Sequence, residues 1–361
     1  MGFKSFFKRL SAVFQIGGSR AKKPAQKTTD PPPPAPVQQR PPEPQPPAAA
    51  TTPAKPKYDP AECTFAKLNN QTVAKRPGQL TPDMPFAIED CEDSNIFIFT
   101  PTAQVTVDNV KRCFIFIAPC DGSVFIRDAQ ECTFVVACRQ FRLRDAKSVR
   151  VSLYAATQPV IESSRHIRFS CFRYVYPELE AQFALTRLPI LFNEWSNVYD
   201  FTATTGQNWT VEPQLDPNLF PPPPPDLNVN PTFAAPNVVP QTLGALPRST
   251  LGSMIFLSFA TPPATAEMLR RLRGHITIIR IKERTYLPVD IPLLFGHITD
   301  PTILQLVAQK DRVIAAELEG TETNALLLLE NSNPPLAEMH AIYFSRSREA
   351  AGKELKLFFG G

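Results

Sequence analysis

The sequence lacks several features that mark common classes of protein. No run of about 18 apolar residues occurs, so no membrane-spanning helix is expected, and the charged N-terminus lacks the apolar core of a secretory signal. The P-loop pattern GxxxxGK[ST] is absent, which argues against the chain being a GTPase itself. The formal net charge of +4 is mild and no basic stripe with interleaved aromatics occurs, so we expect no nucleic-acid partner.

Histidine is scarce and the cysteines are badly spaced for metal binding. The 361 residues include 4 scattered histidines and 7 cysteines without a Cys-x-x-Cys pair. We therefore expect no metal site and no bound cofactor. Without a secretory signal, the cysteines are expected to be reduced, small apolar side chains buried in a cytosolic protein.

Glycine is outnumbered by proline, with 14 glycines against 40 prolines. This bias predicts stiff, extended connectors. We expect one over residues 24–57, which contains Pro31–Pro34, and a second linker over 206–248, which contains Pro221–Pro225. A proline-directed binding site in the first connector is the alternative to a plain spacer.

Residues 1–23 begin with a basic amphipathic pattern. Apolar residues recur at helical spacing, with basic and hydroxyl residues on the other side, which suits an anionic membrane surface. The apolar positions are Phe3, Phe6, Phe7, Leu10, Val13 and Phe14. Gly2 is a candidate for N-myristoylation, although Phe6 stands where that pattern wants Ser or Thr. A frayed basic tail is the alternative.

A short repeat runs through residues 58–205. Apolar residues recur at intervals of 19, 19, 17 and 18 residues, each followed by a second apolar run, with no helical period between them. This pattern predicts an all-β fold, a β-helix with inward side chains stacked from turn to turn. One inner ladder comprises Ile88, Val107, Ile126, Leu143 and Ile161. A second comprises Ser94, Cys113, Cys132, Val149 and Ile167.

The outward positions of this repeat carry a charged group. Arg142 and Arg144 alternate with inward residues in QFRLRD at 140–145, and Glu162 falls level with Arg144 one turn later. We expect an ion pair between Glu162 and an arginine, which would orient a guanidinium for phosphate chemistry. The alternative is an ordinary surface ion pair of little energetic value.

Residues 249–361 follow a different pattern. Strand-like runs at 254–259, 276–283 and 313–320 alternate with helical runs at 264–273 and 350–359. This alternation predicts a small α+β domain of ferredoxin-like kind.

Four motifs in the central region resemble a known family. They are QFRLRD, AATQPVIESS at 155–164, CFRYVYPELEAQFALT at 171–186 and FNEWSNVYDFT at 192–202. They resemble the retinitis pigmentosa 2 family, whose right-handed β-helical domain is shared with tubulin-binding cofactor C. The resemblance covers residues 58 to about 208. It implies a GTPase-activating protein, not itself an enzyme, which acts in trans on a GTP-bound Arf-like small GTPase during the delivery of lipidated proteins to cilia.

The resemblance also assigns roles to residues. It implies that Arg142 is the catalytic arginine finger, supported by Gln140 and Glu162, and that Arg144 and Phe201 contact the partner. Two further consequences concern specificity and location. Arg139 replaces a glutamine of the family, so we expect it to alter partner choice. The implied location is the cytoplasmic face of the plasma or ciliary membrane, or the basal body, with tubulin as an additional implied partner. A non-catalytic scaffold that binds a GTPase or tubulin is the alternative.

The tail resembles nucleoside diphosphate kinase over HAIYFSRSREAAGKELKLFF at 340–359. The resemblance places Tyr343 where that enzyme has its phosphate-accepting histidine, and His340 where it has an asparagine. Tyrosine lacks the basic nitrogen needed for a phosphohistidine. We therefore expect a domain without kinase turnover.

Overall fold

The computed structural model describes the chain from residue 58 onward, with short gaps. The described ranges are 58–203, 208–227, 229–233, 238–248, 252–320, 322–332, 334–336, 338–345 and 347–360. The predicted membrane segment at 1–23, its Gly2 and the predicted connector at 24–57 lie outside them. None of the helices in the described part is long and apolar enough to span a bilayer.

Parallel strands coil into a β-helix of about 6 turns, which confirms the first half of the fold prediction. Its right-handed sense stays a prediction. Side one of the coil consists of β1 Thr64–Ala66, β3 Pro85–Glu92, β5 Gln104–Lys111, the later halves of β6 Phe114–Gln130 and β7 Thr133–Arg144, β9 Val160–Glu162 and β11 Tyr199–Asp200. Side two consists of β2 Thr72–Lys75, β4 Asn95–Ile98, the early halves of β6 and β7, β8 Arg150–Ala155, β10 Ile167–Cys171 and β12 Trp209–Val211.

The inner ladder expected on side one is confirmed. Ile88, Val107, Ile126, Leu143 and Ile161 are consecutive register partners, and each is at most 1 % exposed. The second expected ladder, from Ser94 to Ile167, is also buried throughout. Small apolar residues suit these positions because the coil is narrow and equivalent side chains stack at about 4.8 Å.

Each full turn bends at residues with left-handed backbone, three positions apart. One series comprises Lys67, Asp90, Asn109, Asp128, Asp145 and Ser163, and the other comprises Asn70, Asp93, Arg112, Glu131, Ser148 and His166. At all twelve residues φ lies between 49° (Ser163) and 57° (His166). Asp and Asn are frequent here because their short polar side chains tolerate this conformation better than others do. These stacked bends join side one to side two.

A second apolar layer covers the outer face of side two. Its core comprises Phe97, Phe99, Phe116, Val135 and Tyr154 from the strands. Helix α1, Leu179–Leu185, packs on it through Leu179 and Phe183, as do apolar residues of 220–239. Side two is therefore buried on both faces. On the outer face of side one, by contrast, Arg142 and Arg144 reach solvent.

The segment 206–248, predicted as a linker, packs on the coil in its described parts. β12 pairs with β10, so it extends side two by one strand. The rings of Phe220 and Phe233 contact each other in a tilted arrangement, with 4.4 Å between their centroids, and pack on the second layer. The segment is rich in proline yet carries enough large apolar residues to bury against the coil, which proline content alone does not reveal.

The C-terminal region contains helices and an antiparallel sheet, and its ferredoxin-like arrangement stays a prediction. Its elements are β13 Ser253–Ser258, α2 Pro262–Leu272, β14 Thr277–Thr285, α3 Ile291–Phe295, α4 Pro301–Gln309, β15 Arg312–Glu319, α5 Glu322–Glu330, β16 Ile342–Phe344 and α6 Arg348–Phe359. The four strands form an antiparallel sheet in the order β14-β15-β13-β16. A single apolar core lies between this sheet and its helices.

Candidate functional site

The outer face of side one presents Arg142 in a column of apolar neighbours. The register partners of Arg142 are Phe125 in the turn before and Val160 in the turn after. Tyr199 continues the column beside Val160. Alternation along β7 directs Phe141 and Leu143 into the core and leaves Arg142 exposed. The guanidinium therefore stands on a rigid strand whose neighbouring side chains cannot neutralise it.

Charged residues form the adjacent column. Arg127, Arg144 and Glu162 are consecutive register partners, which confirms that Arg144 and Glu162 are level. Phe201 lies beside Glu162, because its backbone N–H donates to Ile161 O at 2.9 Å. Four of the predicted site residues are thus brought onto one surface within three turns.

The ion pairs of this column differ from the sequence expectation. Arg127 binds Asp108 through two bonds of 2.5 and 2.7 Å, and Arg144 Nε binds the neighbouring Asp145 at 3.0 Å. Within the described ranges, Glu162 forms no ion pair within 4.0 Å with any arginine. The expected Glu162–arginine pair is wrong, because the adjacent Asp145 competes for Arg144 at shorter chain separation.

Arg142 stands apart from its charged neighbours. Arg127 and Arg144 are each matched by a carboxylate, whereas Arg142 makes no ion pair with any residue that the structure describes. An exposed and unneutralised guanidinium keeps its donors free for an anion brought by a partner.

Gln140 and Arg139 lie at the edge of this surface. The Gln140 side-chain oxygen accepts a bond of 3.1 Å from Ser123 Oγ, which leaves its amide group available. Arg139 donates to the backbone and the carboxylate of Asp121 at 2.7 and 2.5 Å, and to Thr186 O at 3.2 Å. Arg139 therefore ties the coil to the end of α1, so its role in partner choice stays a prediction.

Two aromatic residues stand out from the surface beside Glu162. Phe201 is 68 % exposed and Tyr199 is 48 % exposed, with their rings edge to face at 5.3 Å. Exposed aromatic pairs of this kind are enriched at protein interfaces. The sequence reasoning named Phe201 but missed Tyr199, which the alternation of β11 places on the same face.

The predicted kinase-like site lies in the C-terminal domain. Tyr343 is 8 % exposed on β16, and its hydroxyl donates to Glu354 Oε1 at 2.9 Å. His297 Nε2 lies 2.8 Å from the same oxygen. Burial raises the pKa of Glu354, and the two bonds oppose that rise. The hydroxyl of Tyr343 is therefore bonded inward to a buried carboxyl, and the alignment of Tyr343 with a kinase nucleophile stays a prediction.

The cysteines are buried and free, as the sequence predicts. Burial raises the pKa of Cys120 and of Cys171 to about 11, which makes these thiols poor nucleophiles near neutral pH. Among the described residues, no group of three or more His, Cys, Asp or Glu side chains is placed to hold a metal ion.

Known proteins match both the coil and most of the chain. The family described as Tubulin binding cofactor C matches residues 83–201. Tubulin-specific chaperone C of Homo sapiens is 24% identical over 161 residues, which cover 44% of this chain and 46% of that protein.

Matches of greater extent come from a second group. Protein XRP2 of Danio rerio is 36% identical over 276 residues, which cover 73% of this chain and 72% of that protein. Protein XRP2 of Homo sapiens is 33% identical over 317 residues, which cover 84% of this chain and 88% of that protein. The resemblance drawn from the motifs is confirmed: the chain belongs to the Protein XRP2 family and contains a Tubulin binding cofactor C domain.

Proposed function

We propose that the chain is a GTPase-activating protein that supplies Arg142 in trans to a GTP-bound Arf-like small GTPase. The observation that carries the proposal is the state of Arg142: it is exposed, it stands on a central strand of the coil and it forms no ion pair with a described residue. Membership of the family and the Tubulin binding cofactor C domain support the same function.

The chemistry of GTP hydrolysis explains why such an arginine is useful. Negative charge spreads over the transferred phosphoryl oxygens, and an arginine supplied in trans accelerates the reaction by about 10³- to 10⁵-fold, or about 4 to 7 kcal/mol. The benefit requires a guanidinium that is already in position. A stacked β-coil with buried Phe141 and Leu143 on either side of Arg142 restricts the backbone to one position.

The other residues of the surface receive supporting roles. Gln140 and Glu162 flank Arg142 and orient it or the attacking water once the partner has bound. Phe201 and Arg144 contact the GTPase around this centre, and Arg139 influences which GTPase is accepted. The exposure of Phe201 next to the exposed Tyr199 supports these roles, because aromatic side chains are enriched at protein interfaces.

Replacing Arg142 by alanine tests the proposal. We expect Arg142→Ala to reduce single-turnover GTP hydrolysis by an Arf-like partner by about 10³-fold or more, with little change in the thermal unfolding temperature because the side chain is exposed. Arg112→Ala is the matched control, because Arg112 is an exposed arginine paired with Asp93 at a bend. Equal acceleration by wild type and Arg142→Ala, across a panel of Arf-like GTPases, would contradict the proposal.

A non-catalytic scaffold is the second candidate. The exposed Tyr199–Phe201 pair and the similarity to Tubulin-specific chaperone C favour a surface that binds a GTPase or tubulin without accelerating hydrolysis. The same assay separates the two, because the scaffold predicts binding with no gain in hydrolysis rate.

For the C-terminal domain we propose a ferredoxin-like fold without kinase turnover. Numbered within the domain, the antiparallel sheet has strand order 4-1-3-2, which is the split βαβ arrangement. The hydroxyl of Tyr343 is committed to Glu354, and tyrosine cannot form a phosphohistidine. A stable phosphoenzyme after incubation with a γ-labelled nucleoside triphosphate would contradict this proposal.

We place the chain at the cytoplasmic face of the plasma or ciliary membrane, or at the basal body, where it acts in the trafficking of lipidated proteins to cilia. The support is the basic amphipathic pattern of residues 1–23 and the acceptor candidate Gly2. A diffuse distribution of the full chain in ciliated cells, unchanged when Gly2 is replaced by alanine, would contradict it.

A further inference from the structure

Four basic residues cluster at the bend of the last turns of the coil. Lys147 and Arg150 belong to one turn, and Arg165 and Arg168 belong to the next. Lys147 forms a parallel β-bridge with Arg165, and Arg150 is the register partner of Arg168. Each cation therefore lies over another cation on the next strand, and neighbouring strands are about 4.8 Å apart. We name these four residues the basic corner.

In earlier turns of the same coil, three cations form ion pairs with carboxylates. Arg112 binds Asp93 at 2.7 Å, Arg127 binds Asp108 at 2.5 Å and Lys111 lies 3.7 Å from Glu92, in each case one turn away. No member of the basic corner forms an ion pair within 4.0 Å with any residue in the described ranges. Each of these three cations meets a carboxylate one turn away, whereas none of the four cations of the basic corner does.

Stacking like charges has an energetic cost. Like charges directly opposed on neighbouring strands destabilise a sheet. Lys147, Arg165 and Arg168 are exposed and Arg150 is half-buried, so water screens part of the repulsion. An external anion would remove the rest.

Apart from Asp145, which pairs with Arg144, two carboxylates lie near the basic corner and do not cancel its charge. Glu131 is exposed one turn before Lys147. Glu212 follows β12, and burial raises its pKa while Arg168 and Arg150 oppose the rise. One of its carboxylate oxygens is buried without a hydrogen-bond partner among the described residues. Counting both as ionised, the group carries two more positive than negative charges.

We propose that the basic corner docks on an anionic membrane surface. The corner is a turn of the coil, with left-handed residues at Asp145, Ser148, Ser163 and His166, so its side chains project outward. None of the exposed large apolar side chains of the described residues belongs to 145–150 or 163–168, so the contact is electrostatic. Four cations on a projecting edge complement a flat layer of anionic headgroups.

The N-terminal segment favours a membrane over other anions. Residues 1–23 carry the basic amphipathic pattern, and one acyl chain or one such segment holds a bilayer only weakly and needs a second contact. The connector at 24–57 has 34 residues and is rich in proline, and a proline-rich chain extends about 3.1 Å per residue, so the sequence predicts a long tether. The docking does not depend on GTPase activation.

Vesicle co-sedimentation of the full chain tests the docking. We compare phosphatidylcholine vesicles with and without about 30% phosphatidylserine, for wild type and for the quadruple variant Lys147→Gln, Arg150→Gln, Arg165→Gln and Arg168→Gln. At about 1 kcal/mol per basic residue, the variant should lose anionic-vesicle binding by about 100-fold or more. The control variant removes four ion-paired cations with the same change in net charge, by Arg76→Gln, Lys111→Gln, Arg112→Gln and Arg127→Gln. It should bind nearly as wild type does.

A change of opposite sign makes the test specific. Glu212→Gln removes a counter-charge that acts on Arg150 and Arg168. It should tighten binding to anionic vesicles severalfold, an effect that a merely structural role of the corner does not predict. Unfolding temperatures of all variants confirm that each is folded.

Three outcomes would overturn the docking. The first is equal vesicle binding by wild type and the quadruple variant, and the second is an equal loss in the control variant. The third is that the quadruple variant binds anionic vesicles as wild type does but no longer binds soluble poly-glutamate or DNA. That result would assign the corner to a protein or nucleic-acid partner. Because no GTPase is present, these outcomes are independent of the activity of Arg142.

Discussion

At the scale of single residues, the buried carboxyl of Glu354 makes the stability of the C-terminal domain depend on pH. It is 1 % exposed, accepts bonds from Tyr343 and His297 on one oxygen, and has no partner for the other among the described residues. Burial raises its pKa above the ordinary value of 4.5. The folded protein therefore holds this proton more tightly than the unfolded chain does.

The sign of the pH effect follows from linkage. A carboxyl whose folded pKa is raised contributes stability that is fully present below its unfolded pKa and is lost as pH rises through the folded pKa. Glu354→Gln keeps an acceptor for Tyr343 and removes the ionisable group. We expect this variant to gain stability relative to wild type as pH rises from about 4.5 to 7, measured by thermal unfolding.

The control for that measurement lies on the same helix. Glu349 is exposed and its pKa is lowered by a hydrogen bond from Lys353, so Glu349→Gln should show the opposite trend or none. Parallel stability curves for wild type and Glu354→Gln would contradict the assignment.

At the scale of elements, the bends between side one and side two determine where the chain changes direction in each turn of the coil. Each bend places a non-glycine residue at φ near 50°, which costs an ordinary side chain roughly 1–2 kcal/mol. Asp and Asn reduce that cost through their own backbone hydrogen bonds. The aspartates and asparagines that follow the apolar residue of each repeat therefore favour turning at a fixed place.

Asp128 offers a direct test of the bends. It is exposed with φ of 52°, so Asp128→Ala should lower the free energy of unfolding by about 1 kcal/mol while Asp128→Gly leaves it nearly unchanged. Chemical denaturation measures both. Gln130→Ala, two residues further in β6, is the control and should have little effect. Equal losses for alanine and glycine at position 128 would show that the side chain, not the backbone, matters there.

At the scale of the whole molecule, residues 238–248 join the coil to the C-terminal sheet. Trp195 of the coil is fully buried and donates to Thr242 Oγ1 at 2.9 Å. Leu243 and Gly244 donate backbone bonds to Ile278 and Ile279 of β14 at 2.7 and 2.9 Å. The two folded regions therefore share a continuous hydrogen-bonded strip rather than a free linker.

Gly244 tests that strip. It has φ of 60°, and a Cβ there would lie 2.3 Å from Ser196 Oγ and 2.8 Å from Trp195 Cζ2. Gly244→Ala should destabilise the protein by about 2 kcal/mol, measured by thermal unfolding. Gly352 in α6 has no atom within 4 Å of its added Cβ, so Gly352→Ala should stabilise by about 1 kcal/mol. An unchanged unfolding temperature for Gly244→Ala would contradict this, because it would mean that residues 238–248 shift to accommodate the added Cβ at little cost.

Much of the coil and part of the site could be predicted from the sequence. The near-constant spacing of Ile88, Val107 and Ile126 determines the turn length, and alternation within each strand determines that Arg142 and Arg144 face outward. The ion pairs could not be predicted, because Asp145 is the chain neighbour of Arg144 and Glu162 is its register partner, so both are candidates for it. Side-chain geometry decides such a competition.

The sequence by itself determined the local pattern of this protein: which residues turn inward, where each turn bends and which arginines lie on the surface. These properties depend on periods of a few residues, which the chain carries directly. Only the tertiary structure decided that side two is covered, that 238–248 bonds to both folded regions and that the basic corner stacks cation on cation while Arg142 stands unpaired. Those facts depend on contacts between residues far apart in the chain, and no local pattern specifies them.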